Sequence, residues 1–301
     1  MKTYIVTFSL FLSLFVVAQK RITISGAFAL YPITVKWAEE FKKTHPNVEI
    51  DISAGGAGKG ITDALSGQVN IALVSRDLTS QEIKNGGYPI AVAKDAVLPT
   101  INANNPVVET LLKTGVKKNT FNDIFITGKL KVWDKKSKAP IHVYTRSDAA
   151  GAAETWAKYF GKKQEDLLGV AVYGDPGLAQ AIKKDPVGIG FNNIVYVYDT
   201  KSRKATNGVI PVPIDLNNNG KLDPEENFYG NVDQLTDAIA AGKYPSPPAR
   251  DLYFMTKGKP QEPIVKEFIT YVLTEGQQFI DAAGYVKLNN DKIKSSIQKI
   301  K

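Results

Sequence analysis

Tyr144-Thr-Arg146-Ser-Asp148-Ala-Ala-Gly151-Ala152-Ala-Glu-Thr-Trp156 is the stretch on which the reading of this chain turns. Residues 141–144 read as a short apolar strand, 149–152 as a tight small-residue turn, and the segment carrying Trp156 and Phe160 as a helix. The first turn of a helix leaves its amide hydrogens without intrahelical partners, so strand, turn and helix start together make an anion trap. Arg146 adds a planar cationic fork, and Asp148 stands close enough to hold it in place. The same residues also describe an ordinary strand-to-helix corner with a surface ion pair. The segment alone does not choose.

The surrounding chain narrows the choice. With 301 residues, 43% hydrophobic and 23% charged, it suits one large or two medium globular domains. Residues 1–18 hold one charge, Lys2, followed by an apolar run over 4–18 that is short for a bilayer and laid out as a cleavable secretory signal. There is no cysteine, which excludes disulfides and an N-terminal lipid anchor on cysteine. A periplasmic location fits best. The formal charge of +8 invites a nucleic-acid reading, but Lys42, Lys43, Lys117, Lys118, Lys135, Lys136, Lys162 and Lys163 are scattered, with no aromatic platform between them. A basic surface instead concentrates small anions.

From the start of the mature chain, residues 21–25 alternate as a strand, and Pro32 opens a helix whose stripe is Ile33, Trp37 and Phe41. Residues 48–52 and 69–74 are further strands, separated by Gly55-Gly-Ala-Gly58-Lys-Gly60 and a helix over 61–65. This βαβαβ unit places small-residue turns at the carboxyl ends of its strands, where open parallel sheets bind ligands. The glycine loop is neither a Walker A motif nor a dinucleotide fingerprint, and implies only close backbone approach to something.

Taken in order, Gly26…Pro32…Trp37…Phe41, Gly56-Ala-Gly58, Ser75-Arg76, Ile124-Phe-Ile-Thr-Gly128…Trp133, Arg146-x-Asp148-x-x-Gly151 and Val187-Gly-Ile-Gly190-Phe resemble the substrate-binding protein of the phosphate ABC transporter. The resemblance implies an α/β type-II periplasmic binding protein, two α/β lobes joined by two hinge strands. Lobe 1 is then 20–98 and 254–301, and lobe 2 is 104–248, with 92–103 crossing out and 250–256 crossing back. It implies a helix over the 124–133 motif. It also implies a small oxyanion ligand, phosphate first, a membrane permease as partner, and a monomer.

In such a site Arg146, Asp148 and the amides of Gly151 and Ala152 hold the anion, with Leu30, Tyr31, Gly58, Ser75 and Arg76 closing from lobe 1. The chain departs from the family's pattern where serine and threonine hydroxyls are expected. Residues 27–30 read Ala-Phe-Ala-Leu, 56–58 read Gly-Ala-Gly, and 150–152 read Ala-Gly-Ala. Each lost hydroxyl is worth about 1 kcal/mol. Asp77, the nearest carboxylate on lobe 1, lies off the family's place for accepting a ligand proton, so weak and poorly selective binding is expected. The alternative is a binding or adaptor protein of the same fold that has lost the phosphate site and recognises another ligand or a partner protein.

One motif stands apart. Asp215-Leu-Asn217-Asn-Asn219-Gly220-Lys221-Leu-Asp223-Pro-Glu-Glu226 matches the EF-hand loop, with oxygens from Asp215, Asn217, Asn219, the Lys221 carbonyl, Asp223 and Glu226. The preceding Ile210-Pro-Val-Pro-Ile214 cannot be an entering helix. A lone structural calcium loop is therefore expected. Enzyme readings find little support: no nucleophile elbow is present, and His45 and His142 have no carboxylate at useful sequence spacing.

Overall fold

The computed structural model describes residues 20–133 and 138–301. The expected signal over 1–18 lies outside the described residues. The chain opens with β1 (Lys20–Gly26), passes through the helix Tyr31–Thr44 to β2 (Val48–Ala54), and through the helix Ala57–Leu65 to β3 (Ile71–Val74). β1 lies between β2 and β3, parallel to both. The helix Tyr31–Thr44 carries Pro32 in its first turn, where a missing amide hydrogen costs nothing. Its stripe of Ile33, Trp37 and Phe41 is wholly buried, and the Trp37 indole donates to the Gly276 carbonyl at 2.8 Å.

β4 (Gly87–Asn102) is the long strand of the fold, 16 residues that run from one half of a nine-stranded sheet into the other. Beyond it come β5 (Val116–Lys117), β6 (His142–Arg146), β7 (Val170–Val172), β8 (Gly188–Asn193), β9 (Val209–Pro211) and β10 (Ile214–Asp215). β11 (Ala249–Lys257) returns antiparallel to β4 from Ala249 opposite Ala96 to Lys257 opposite Gly87, and also pairs with β3. The resulting order is β2-β1-β3-β11-β4-β8-β6-β7, with β9 beside β4. Two separate cores flank the crossing strands. One is built from residues between Ile22 and Ala93 and between Leu252 and Ile300. The other is built from residues between Ala96 and Ala249 together with Val286, and gathers Phe121, Phe125 and Phe191 around Trp156 at ring distances of 5.5–6.2 Å.

Three local expectations change. Pairing of Tyr144, Thr145 and Arg146 with Val170, Ala171 and Val172 carries β6 on to Arg146, so the arginine ends the strand instead of following it. The helix expected over 61–65 begins at Ala57, because Gly58 and Gly60 are needed for packing and do not break it. No helix spans 124–133: the helix Lys118–Phe125 ends there with Ile126 as its cap, and Gly128 just beyond takes φ +63, which a helix does not.

Candidate functional site

β6 delivers Arg146 into the space between the two cores, with its side chain only 1% exposed. The surface ion pair is thereby excluded. Nε and Nη2 donate to the two oxygens of Asp148 at 2.9 and 2.6 Å, and Nη1 donates to Asp175 Oδ2 at 2.6 Å. The Phe28 ring, from the opposite lobe, lies 5.6 Å from the guanidinium carbon. Asp148 also accepts the Gly174 amide at 3.1 Å. The fork is fixed from three sides.

Asp175 continues the chain of polar contacts toward the hinge. Its Oδ1 accepts from Asn193 Nδ2 at 2.5 Å, and Asn193 Oδ1 accepts from Arg250. Arg250 in turn donates to Asp95 at 2.8 and 3.2 Å and to Thr155 Oγ1 at 3.1 Å. β6, the helix Gly174–Lys184, the end of β8 and both crossing strands are thus linked by one buried network. Its two cations, Arg146 and Arg250, face three carboxylates, Asp95, Asp148 and Asp175, leaving one negative charge in excess. Complete burial pushes the Asp175 carboxyl above its usual range, against the pull of Arg146 and Arg250. Burial alone would lower the Arg146 pKa, but the charges of Asp175 and Asp148 reverse the effect and raise it.

The glycines explain how the lobes meet. Gly56 takes φ +90, and a Cβ there would lie 2.6 Å from Asp148 Oδ2. The Gly58 amide donates to the Ala149 carbonyl at 3.0 Å across the seam. A Cβ on Gly151 would stand 2.6 Å from the Ser75 carbonyl oxygen. Gly60 answers a different need, the contact of its helix with Gly26 on β1, where a Cβ would approach within 2.6 Å. The loop therefore serves both close approach to the other lobe and packing within its own.

Among the residues expected at the site, Arg146, Asp148, Gly151, Gly58 and Ser75 come together at this seam, with Ala152 buried in the first turn behind Gly151. Leu30 is buried in the first core and Tyr31 packs partly buried against it, and their amides bond to the carbonyls of Ala27 and Phe28 at 3.1 and 3.2 Å. Phe28 takes the place facing Arg146. Arg76 is drawn away by a bidentate pair with Glu82 at 2.8 and 2.7 Å, and lines a cleft of about 720 Å³ beside the seam with Lys94, Lys158, Arg250 and Lys292. Asp77 faces that cleft too, accepting from Lys158 at 3.2 Å and the Tyr253 hydroxyl at 3.0 Å. The carboxylate that joins Asp148 at Arg146 is Asp175, which sequence reading missed because Gly174-Asp-Pro-Gly177 looks like any helix start.

Both histidines do have carboxylate partners, His45 with Glu267 at 3.0 Å and His142 with Asp185 at 2.7 Å. The partners are 222 and 43 residues distant in sequence, beyond any motif. His142 begins β6, at the opposite end from Arg146.

A side chain at Gly151 offers a direct check on the seam. Gly151→Val should cost the closed arrangement about 1–3 kcal/mol by overpacking against Ser75. Solution scattering should then report a larger radius of gyration than for the parent chain. An unchanged radius would show that the lobes do not meet here in solution.

A model of the PBP superfamily domain matches residues 17–275. The chain is 26% identical to the phosphate-binding protein PstS of Methanocaldococcus jannaschii, covering 92% of this chain and 85% of that one. It is 28% identical to the PstS of Bacillus subtilis, covering 92% and 83%. In structure it resembles a Clostridium perfringens protein solved with bound phosphate. That match has a TM-score of 0.73 at 24% identity, over 90% of this chain and 100% of the other. An ABC-type phosphate transport receptor of Vibrio cholerae gives 0.63 at 23%, over 89% and 100%.

Proposed function

We propose that this chain, which belongs to the PBP superfamily, is the exported solute-binding component of an ABC-type transporter and captures a small oxyanion, phosphate first. Its fold is that of a type-II periplasmic binding protein. Relatives named for phosphate binding support the ligand class. Export is supported by the apolar run over 4–18, and no helix among the described residues is long and apolar enough to cross a membrane. The observation that carries the reading is Arg146, a buried guanidinium fork set at a glycine-lined seam between two lobes.

The binding step follows from that placement. The amide of Gly58 and the first turn at Gly151 are donors that need no side-chain hydroxyl, and both lie at the seam, Gly58 on Ala149 and Gly151 against Ser75. The Gly58 amide is committed to Ala149 with the seam shut, so an anion enters by parting the lobes and takes over that donor. Three of the five N–H groups of Arg146 serve Asp148 and Asp175, and two remain for a ligand.

The carboxylates also bear on selectivity. An oxyanion at Arg146 meets Asp148 and Asp175, so a species carrying a proton to donate is favoured over one that carries none. Phosphate is thus preferred to sulfate, where the position of Asp77 alone had suggested little discrimination. Calorimetry on the full chain should give phosphate binding, weaker sulfate binding, and neither for Arg146→Ala. Equal affinities would overturn the selectivity, and no oxyanion binding at all would replace this reading with the adaptor.

A further inference from the structure

The loop 215–226 belongs to the second lobe and takes no part in the seam. Its end positions, Asp215 and Glu226, are 1% and 4% exposed, and charged side chains are almost never so buried unless paired. Among the described residues neither forms an ion pair with a basic side chain. Asp215 is held by the amides of Asn219 and Gly220 at 3.2 and 2.8 Å. Glu226 Oε1 accepts the amides of Leu216 and Asn217, both at 2.9 Å, which fixes the carboxylate inside the loop. Its other oxygen, Oε2, is buried with no hydrogen-bond partner. An anionic oxygen shut away from water without a donor calls for a cation.

We propose that residues 215–226 bind one Ca²⁺ through Asp215, Asn217, Asn219, the Lys221 carbonyl, Asp223 and Glu226, and that the ion clamps the second lobe. The donor set is all oxygen, which selects a hard cation over Zn²⁺ or Cu²⁺. Three carboxylates spread over a twelve-residue ring suit the larger Ca²⁺ better than Mg²⁺, which demands a tight octahedron. Gly220 makes the sharp turn at φ +81, with nothing within 4 Å of an added Cβ, so conformation and not space requires glycine.

Among the described residues, no three acidic or imidazole side chains already converge as for a metal. The reason is local: Asp223 Oδ2 receives the side-chain nitrogens of Asn217 and Asn219, both at 2.7 Å. The carboxamide oxygens of Asn217 and Asn219 accept the Asn219 and Lys221 amides at 3.0 and 2.8 Å, so both already face into the loop, and each keeps a second lone pair for a cation once its nitrogen leaves Asp223.

The ion would tie together three parts of the second lobe. β10 pairs with β5 through Ile214 and Asp215, the Leu222 amide donates to the Lys113 carbonyl at 3.0 Å, and the Ile214 amide donates to the Tyr229 hydroxyl at 3.1 Å. The loop thus joins the end of the helix Val108–Thr114 to the stacked pair Phe228 and Tyr229. Closing the ring with a cation stiffens that corner of the lobe.

The test uses the full chain stripped by chelator, in phosphate-free buffer, titrated with CaCl₂ in a calorimeter and melted with and without the metal. One Ca²⁺ per chain and a melting temperature that climbs with Ca²⁺ concentration are expected. Mg²⁺ should do much less. Glu226→Gln should remove the response. Asp223→Asn, at the outer side of the loop, should leave the metal-free melt nearly unchanged. It should weaken Ca²⁺ by roughly tenfold or more, since partners behind a metal's ligands are already worth about that much. If Glu226→Gln fails to fold, Asp223→Asn decides alone. No heat of binding, a melt indifferent to Ca²⁺, an equal response to Mg²⁺, or full affinity in Asp223→Asn would each overturn the proposal.

Discussion

Replacing Arg146 with alanine should destabilise the chain by about 3–5 kcal/mol at neutral pH, the usual cost of removing one partner from a buried ion pair. Asp175 is 3% exposed and Asp148 has a 7% exposed side chain, so neither can recover its lost hydrogen bonds from water. Asp175 would keep Asn193 and the more distant charge of Arg250, and Asp148 would keep the Gly174 amide. The remedy open to the variant is to protonate a carboxyl.

That remedy fixes the sign of the pH dependence. The folded-state pKa of Asp175 already lies above its unfolded value because of burial, and losing Arg146 raises it further. A group with a raised folded pKa supports the fold fully below its unfolded pKa, about 3.9, and withdraws that support as pH climbs through the folded value. The deficit of Arg146→Ala should therefore be largest at neutral pH and shrink on acidification toward about pH 4. Urea unfolding of parent and variant across that range measures it. Arg146→Lys keeps the charge without the fork and should lose less. A deficit below about 1 kcal/mol, or one equally large at every pH, would mean that Arg146 does not balance Asp175.

The second large effect lies at the hinge. Arg250→Ala strands Asp95, whose side chain is 1% exposed, and frees Asn193 and Thr155, so a loss of about 3–5 kcal/mol is expected here as well. Unlike Arg146, Arg250 pairs the two crossing strands with each other and ties them to the second lobe. Removing Asp95 together with Arg250 should return much of the loss, because no unpaired charge then remains buried. A double-mutant cycle by urea unfolding gives the coupling directly. Simple additivity of the two single losses would show that the pair does not act as a unit.

Much of this molecule is written in short-range pattern. The stripe Ile33, Trp37 and Phe41, the strand leading into Arg146, the glycine turns and the oxygen-rich loop 215–226 each follow from spacing within a dozen residues. The alternating prolines of 210–214 forbid a helix, and β9 and β10 stand there. Even the pairing of Arg146 with Asp148 is local, two residues apart.

Other features belong to tertiary structure alone. Asp175 is 29 residues from Arg146, Asn193 is 57 from Arg250, and Asp95 is 155 from Arg250. These partners meet only because β11, late in the chain, inserts between β3 and β4 and lays Arg250 opposite Asp95. Whether a given glycine serves the seam, as Gly58 does, or its own lobe, as Gly60 does, is likewise decided by what arrives across from it. Periodicity and turn chemistry are set by neighbours along the chain, and so they can be read from it. Burial is set by elements that come together from far apart, and burial is what turns two arginines and three aspartates into one coupled network.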